Sequence, residues 1–159
     1  AWVLVQIIGR NKYAFDEIYV RNTNTPAMCR LLREKCPNMR FIFYGDYSGT
    51  YRETSATLSD WEIIHQAFPD AEQRLRPDPP VKDRVAAVNA QFQNAQGERR
   101  AFVTKECKNL IIDLETNVWK EGKAEIDKSN LMRTHCAEGF GYFINYEYPI
   151  RRGAELRSY

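Results

Sequence analysis

The chain has 159 residues, 43% of them hydrophobic and 28% charged, with a formal net charge of +2. This is enough for one folded domain with a sizeable core, and no apolar run approaches the roughly 20 residues that a membrane-spanning helix needs. So small a net charge does not by itself suggest a nucleic-acid partner, and a DNA-binding surface would have to be a local patch.

The elements follow from hydrophobic period and punctuation. Trp2 to Ile8 is a mostly apolar run, continuous enough for a well-buried strand. Gly9 to Lys12 reads as a turn, and Tyr13 to Val20 as the second arm of a hairpin. Thr25 followed by Pro26 opens a helix through Met28, Leu31 and Leu32, which must stop near Pro37. Phe41 to Tyr44 is of strand length. Ser59-Asp60-Trp61-Glu62 is a capping box. The helix it opens buries Trp61, Ile64 and Phe68, and His65 on it reads as partly buried. Gln73 to Arg76 reads as a short parallel strand. Val81, Val85, Val88 and Phe92 share one face of a helix that Gly97 closes. Ala101 to Thr104 is extended. Cys107, Leu110, Ile111, Leu114 and Val118 mark another amphipathic helix, ending near Gly122, and a last helix spans about Thr134 to Tyr146. The order is hairpin, helix, strand, helix, strand, helices, which implies an α/β domain with a mixed sheet over residues 1–149 and a charged tail over 150–159.

Cys29, Cys36, Cys107 and Cys136 form no Cys-x-x-Cys pair, which argues against structural zinc. Cys29 and Cys107 fall on apolar helix faces, as buried free thiols do. Nothing in this usage requires an oxidising compartment.

Two acids carry the chemistry. Asp46 stands where an apolar strand runs into Tyr47-Ser48-Gly49, and ligand sites in open α/β sheets lie at the carboxyl ends of strands. The alternative is a turn aspartate bonding nearby backbone amides. Glu138 stands in the first turn of the last helix, where the helix dipole favours an acid in any case. Gly139 and Gly141 beside it are poor helix formers, each costing about 1 kcal/mol against alanine. They imply close packing on the sheet or room for a substrate. Two such acids converging at one end of a sheet would offer oxygen ligands to a hard divalent cation. Arg74, Arg76, Lys82, Arg84, Lys128 and Arg133 are candidate contacts for DNA phosphates, against the plain reading of a solvated face. His135 reads as a helix cap before a water-orienting group, Asp127 as a remote accessory acid, and Asp16 and Glu17 as structural or edge charges. No Gly-x-x-x-x-Gly-Lys phosphate loop occurs.

Four segments appear in order: Asp16-Glu17-Ile18-Tyr19-Val20 through Asn24-Thr25-Pro26-Ala27-Met28; Tyr44-Gly45-Asp46-Tyr47-Ser48-Gly49; Pro80-Val81-Lys82-Asp83-Arg84-Val85 through Val88-Asn89-Ala90; and His135 to Tyr142. In order and spacing they resemble the C-terminal nuclease domain of the tailed-phage terminase large subunit. The resemblance implies an RNase H-like fold and metal-dependent cleavage of concatemeric double-stranded DNA during genome packaging. Asp46 and Glu138 would be the catalytic metal ligands for Mg²⁺ or Mn²⁺. It further implies the terminase ATPase domain, the small terminase subunit and the portal as partners, and a setting in the host cytoplasm at the procapsid portal. The family usually reads Ser-Asp-Ala where this chain has Ala137-Glu138-Gly139. It also has a central strand, ending in a further aspartate, that would lie immediately upstream of Ala1. The rival expectation is a non-catalytic DNA-binding or motor-docking domain of the same fold.

Overall fold

The computed structural model describes residues 1–51, 57–123, 125–130 and 133–150. The tail expected over 150–159 lies outside them except for Ile150. The elements are β1 (Trp2–Ile8), β2 (Asn11–Ile18), α1 (Thr25–Lys35), β3 (Ile42–Asp46), α2 (Asp60–Ala67), β4 (Glu72–Arg76), α3 (Val81–Phe92), β5 (Ala101–Val103), α4 (Lys108–Thr116) and α5 (His135–Glu147). A 3₁₀ turn, Tyr47–Thr50, follows β3.

The strands form two sheets. In the first, β1 pairs antiparallel with β2, and β5 joins the other side of β2 in parallel. In the second, β3 and β4 pair in parallel, with Asp46 opposite Arg76. The expected hairpin and the parallel strand after α2 are both present. The expected single mixed sheet is divided: among the described residues β1 bonds only to β2 and β3 only to β4, so both present an unpaired edge.

Alternation along the strands sends neighbours to opposite faces. Val3, Val5, Ala14 and Tyr44 pack with Val88, Leu110, Phe140, Phe143 and Ile144, on the side of α3, α4 and α5. Trp2, Leu4, Ile18 and Phe43 pack with Met28 and Leu32 of α1. Trp61 and Ile64 of α2 extend that layer around Phe43 and Phe68. Both sheets therefore lie between two layers of helix, and α5 packs on β1 and β3 alike. Trp2 meets Phe43 edge-on at 5.7 Å between ring centroids, joining the two sheets through side chains.

Several boundaries differ from the sequence expectation for local reasons. The cap of α1 is Asn24, whose side chain accepts the Ala27 amide at 3.0 Å, while Thr25 donates to Asp60. β1 is buried only in its first half; Ile7 and Ile8 are exposed because the hairpin tip runs past the helices. His65 is exposed, since Trp61 and Ile64 take the inner face of α2. α4 ends at Thr116, leaving Val118 exposed. The Ser59 capping box forms as expected, and all four cysteines are buried and free.

Candidate functional site

The carboxyl ends of β3 and β4 and the first turns of α3 and α5 meet in one place. Asp46 is the last residue of β3, and its Oδ1 accepts the Ser48 amide at 2.6 Å, forming the turn that starts the 3₁₀ segment. Trp61 fixes the backbone there. Its indole N–H donates to the Asp46 carbonyl at 3.0 Å, and a Cβ at Gly45 or Gly49 would come within 2.9 Å of the ring. Glycine at these positions is therefore required by close approach of the indole.

Asp78 lies two residues beyond the β4 residue opposite Asp46, and the two carboxyls hydrogen-bond. Partial burial alone would raise the Asp46 carboxyl. Hydrogen bonds with Ser48 and Asp78, and the charge of Arg84, outweigh it and hold Asp46 below its ordinary value. Asp78 moves the other way, raised by partial desolvation, then by its bond to Asp46 and the Asp46 charge. Of the two, Asp78 therefore takes up a proton more readily and Asp46 stays ionised more readily.

Glu138 sits in the first turn of α5. Its Oε1 contacts Arg84 Nη2 at 3.4 Å and Lys128 Nζ at 2.5 Å. The Arg84 charge reaches Asp46 and Asp78, and the Glu138 charge reaches Asp78. Glu138 thus pairs with a guanidinium whose charge also acts on Asp46 and Asp78. The arrangement supplies hard oxygen donors, the chemistry a divalent cation takes. It does not form a closed ligand set: among the described residues no three acids, histidines or cysteines converge tightly enough to hold a metal by themselves.

The beginning of α5 depends on two acids behind the site. Thr134, which precedes the helix, has a left-handed backbone with φ of 81°, costly for a β-branched residue, and makes no side-chain cap. The cap comes from α4 instead: Asp113 Oδ2 accepts the amides of Cys136 at 2.9 Å and Ala137 at 3.2 Å. α4 is capped in turn by Glu17 of β2, whose carboxylate accepts the amides of Asn109 and Leu110.

The candidate DNA contacts divide. Arg74 is bound to Glu72 and Glu147 and hydrogen-bonds Tyr44. Arg76 is exposed and stacks 3.9 Å over the Tyr146 ring. Lys82 is exposed and Arg133 is half-buried. Lys128 is exposed but pairs with Glu138. Arg84 is a correction to the surface reading, because its side chain is only 8% exposed. The reason for Gly141 is also corrected: it admits the Arg84 stem of α3, whereas nothing crowds Gly139. Asp127 accepts the amide of Ser129, and Glu17 is structural as expected.

Asp78 and Asp113 are the acids that sequence reasoning missed. Asp78 follows a predicted strand just as Asp46 does, which was a usable signal. Asp113 interrupts the apolar face of α4 three residues after Leu110, and a buried acid there needs donors that only the fold supplies. A cleft of about 540 Å³ lies between α1 and α2 and is lined by none of these acids. No helix among the described residues is long and apolar enough to cross a membrane. No protein-family model, curated protein or solved structure matches this chain.

Proposed function

We propose that the chain is the RNase H-like nuclease domain of a terminase large subunit, hydrolysing phosphodiester bonds of double-stranded DNA with a divalent metal. The observation that carries this reading is that Glu138, from the start of α5, pairs with Arg84, whose charge also acts on Asp46 at the end of β3. These are the two acids that the sequence resemblance singles out, and they come from segments far apart in the chain.

In this reading Asp46 and Glu138 hold Mg²⁺ or Mn²⁺. When bound, such an ion lowers the pKa of a water and offsets charge on the phosphate oxygens. Asp46 suits the task because its surroundings favour the ionised form. Glu138 reaches the site on a rigid helix whose first turn Asp113 caps. Lys128 is on an exposed loop and can exchange Glu138 for a DNA phosphate without disturbing the core. Arg76 and Lys82, both exposed near the ends of β4 and α3, suit backbone contacts that carry no sequence information. The edges of β1 and β3, unpaired among the described residues, support the further strand that the resemblance implies. The ATPase, small-subunit and portal partners and the host-cytoplasm setting belong to the same proposal.

A protein extended upstream to include that strand is the proper test. It should nick and linearise plasmid DNA with Mn²⁺; Asp46→Asn should abolish cleavage with an unchanged circular-dichroism melt, and Glu138→Gln should abolish it with a lower melt, because the buried Arg84 loses its charged partner. An extended protein that cuts no DNA, or an Asp46→Asn variant that cuts as well as its parent, would overturn the nuclease reading. DNA binding retained in such a protein would favour a binding or motor-docking domain, for which the ion pairs now holding Glu138 are already suited.

A further inference from the structure

We propose that Arg84 is the positioning residue of this site: a buried cation that holds the Glu138 carboxylate where a divalent metal shared with Asp46 can use it. The inference rests on the metal-site reading above and adds to it a residue that looked like a surface phosphate contact.

The argument begins with cost. Arg84 lies in the first turn of α3, where the helix dipole disfavours a cation, and its side chain is almost wholly buried. A buried charge is unfavourable unless paired and hydrogen-bonded. Here the surroundings are shaped to receive it. The stem lies against Gly141 of α5, where a Cβ would come within 2.8 Å of Cγ and 2.9 Å of Cδ. The guanidinium lies 4.7 Å from the centre of the Tyr142 ring. Nη2 faces Glu138 Oε1, and the charge acts on Asp46 and Asp78. One side chain therefore touches or biases every acid of the site, and α5 carries a glycine in mid-helix to admit it.

Lys128 does not fill the same role. Its side chain is 59% exposed and comes from a loop, so it can leave. Arg84 is wedged between two helices, its stem against Gly141, and cannot leave in that way. Both cations contact Glu138 through Oε1.

A mere counter-ion and a positioning residue predict opposite signs. If Arg84 only contributed charge, its removal would relieve repulsion and tighten Mn²⁺ binding, and a lysine would replace it without effect. If it positions the carboxylate, losing the planar fork or shifting the stem lets it swing away, and binding weakens. The probe is Mn²⁺ alone, titrated into the chain and followed by loss of the free-ion electron paramagnetic resonance signal, with a thermal melt on each variant. Arg84→Gln, Arg84→Lys and Gly141→Ala should each weaken Mn²⁺ binding, by roughly 10–100-fold as for other residues that orient metal ligands. Arg30→Gln, an equal loss of charge on α1, should leave it unchanged. Gly141→Ala and Arg84→Lys keep the charge, so the test survives if Arg84→Gln does not fold. If Mn²⁺ binds the parent and is lost with Asp46→Asn, but Arg84→Lys and Gly141→Ala bind as the parent does or Arg84→Gln binds tighter, the positioning role is overturned and the metal site stands. If neither the chain nor its upstream-extended form binds Mn²⁺, the inference falls with the reading on which it rests.

Discussion

Asp113 Oδ2 accepts the backbone N–H of Cys136 at 2.9 Å, so that a buried acid on α4 caps the helix bearing Glu138. The relation matters because Thr134, at the ordinary capping position, has a left-handed backbone and supplies no side-chain cap. The first turn of α5 therefore takes its anchor from another helix. Asp113→Ala would leave two amides without their acceptor, and a loss of about 2–4 kcal/mol is expected from hydrogen bonds to a buried charge. Asp113→Asn keeps an acceptor and should lose less. Urea denaturation checks both; an alanine variant as stable as the parent would remove Asp113 from this role.

Glu17 should behave in the same way one step back. Its Oε1 accepts the Asn109 amide and side-chain N–H, and its Oε2 accepts the Leu110 amide. Glutamine can replace one of these oxygens but not both. Glu17→Gln is expected to cost about 1–2 kcal/mol, in the range of lost helix caps. Because the two caps act in series through α4, the double variant with Asp113→Ala should depart from additivity. Strict additivity in denaturation would show the caps to be independent.

Gly45→Ala should destabilise the end of β3. The added methyl would stand 2.9 Å from Trp61 Cζ2, and overpacking of this kind costs about 1–3 kcal/mol. Quenching or shift of tryptophan fluorescence, together with a lower melting temperature, would report the displaced indole. An unchanged melt would mean that Trp61 has room to turn.

The thiols supply a test that depends on pH. Burial, with the charge of Glu17 next, pushes the Cys107 thiol up to about 11. Burial, then the charges of Glu17 and Asp113, pushes Cys136 up to about 12. The thiolate is the reactive form, so neither should react with an aromatic disulfide reagent at pH 8 until the chain unfolds. The ordinary value is 9.0 for both, so the folded state holds these protons more tightly than the unfolded one. Their contribution to stability is fully present below pH 9 and is lost as pH rises through the folded values. Rapid labelling of native protein at pH 8, or a melting temperature indifferent to pH from 9 to 11, would contradict this.

The elements were legible in the sequence because each rests on a local signal. The Ser59 box caps α2 through a bond between residues three apart, and the hairpin of β1 and β2 closes through Gly9, whose φ of 60° suits glycine. Asp46 and Glu138 were legible as candidates for the same reason, one at a strand end and one in a first turn. What the sequence could not decide was the company these residues keep. The alternating four- and three-residue spacing of α3 marks Val81, Val85 and Val88 as its inner face, yet Arg84 is buried as deeply as Val88 and more deeply than Val81 and Val85, because Gly141 on another helix leaves space for its stem. Asp113 read as a polar residue on an apolar helix until α5 presented two amides to it. The division of the strands into two sheets was equally hidden, since hydrogen bonding between strands depends on which edges meet, not on the pattern within either. Period and punctuation are properties of neighbouring residues and survive in a linear chain. Pairing of charge, capping across elements and close approach at glycine arise between distant segments, so only the tertiary structure could decide them.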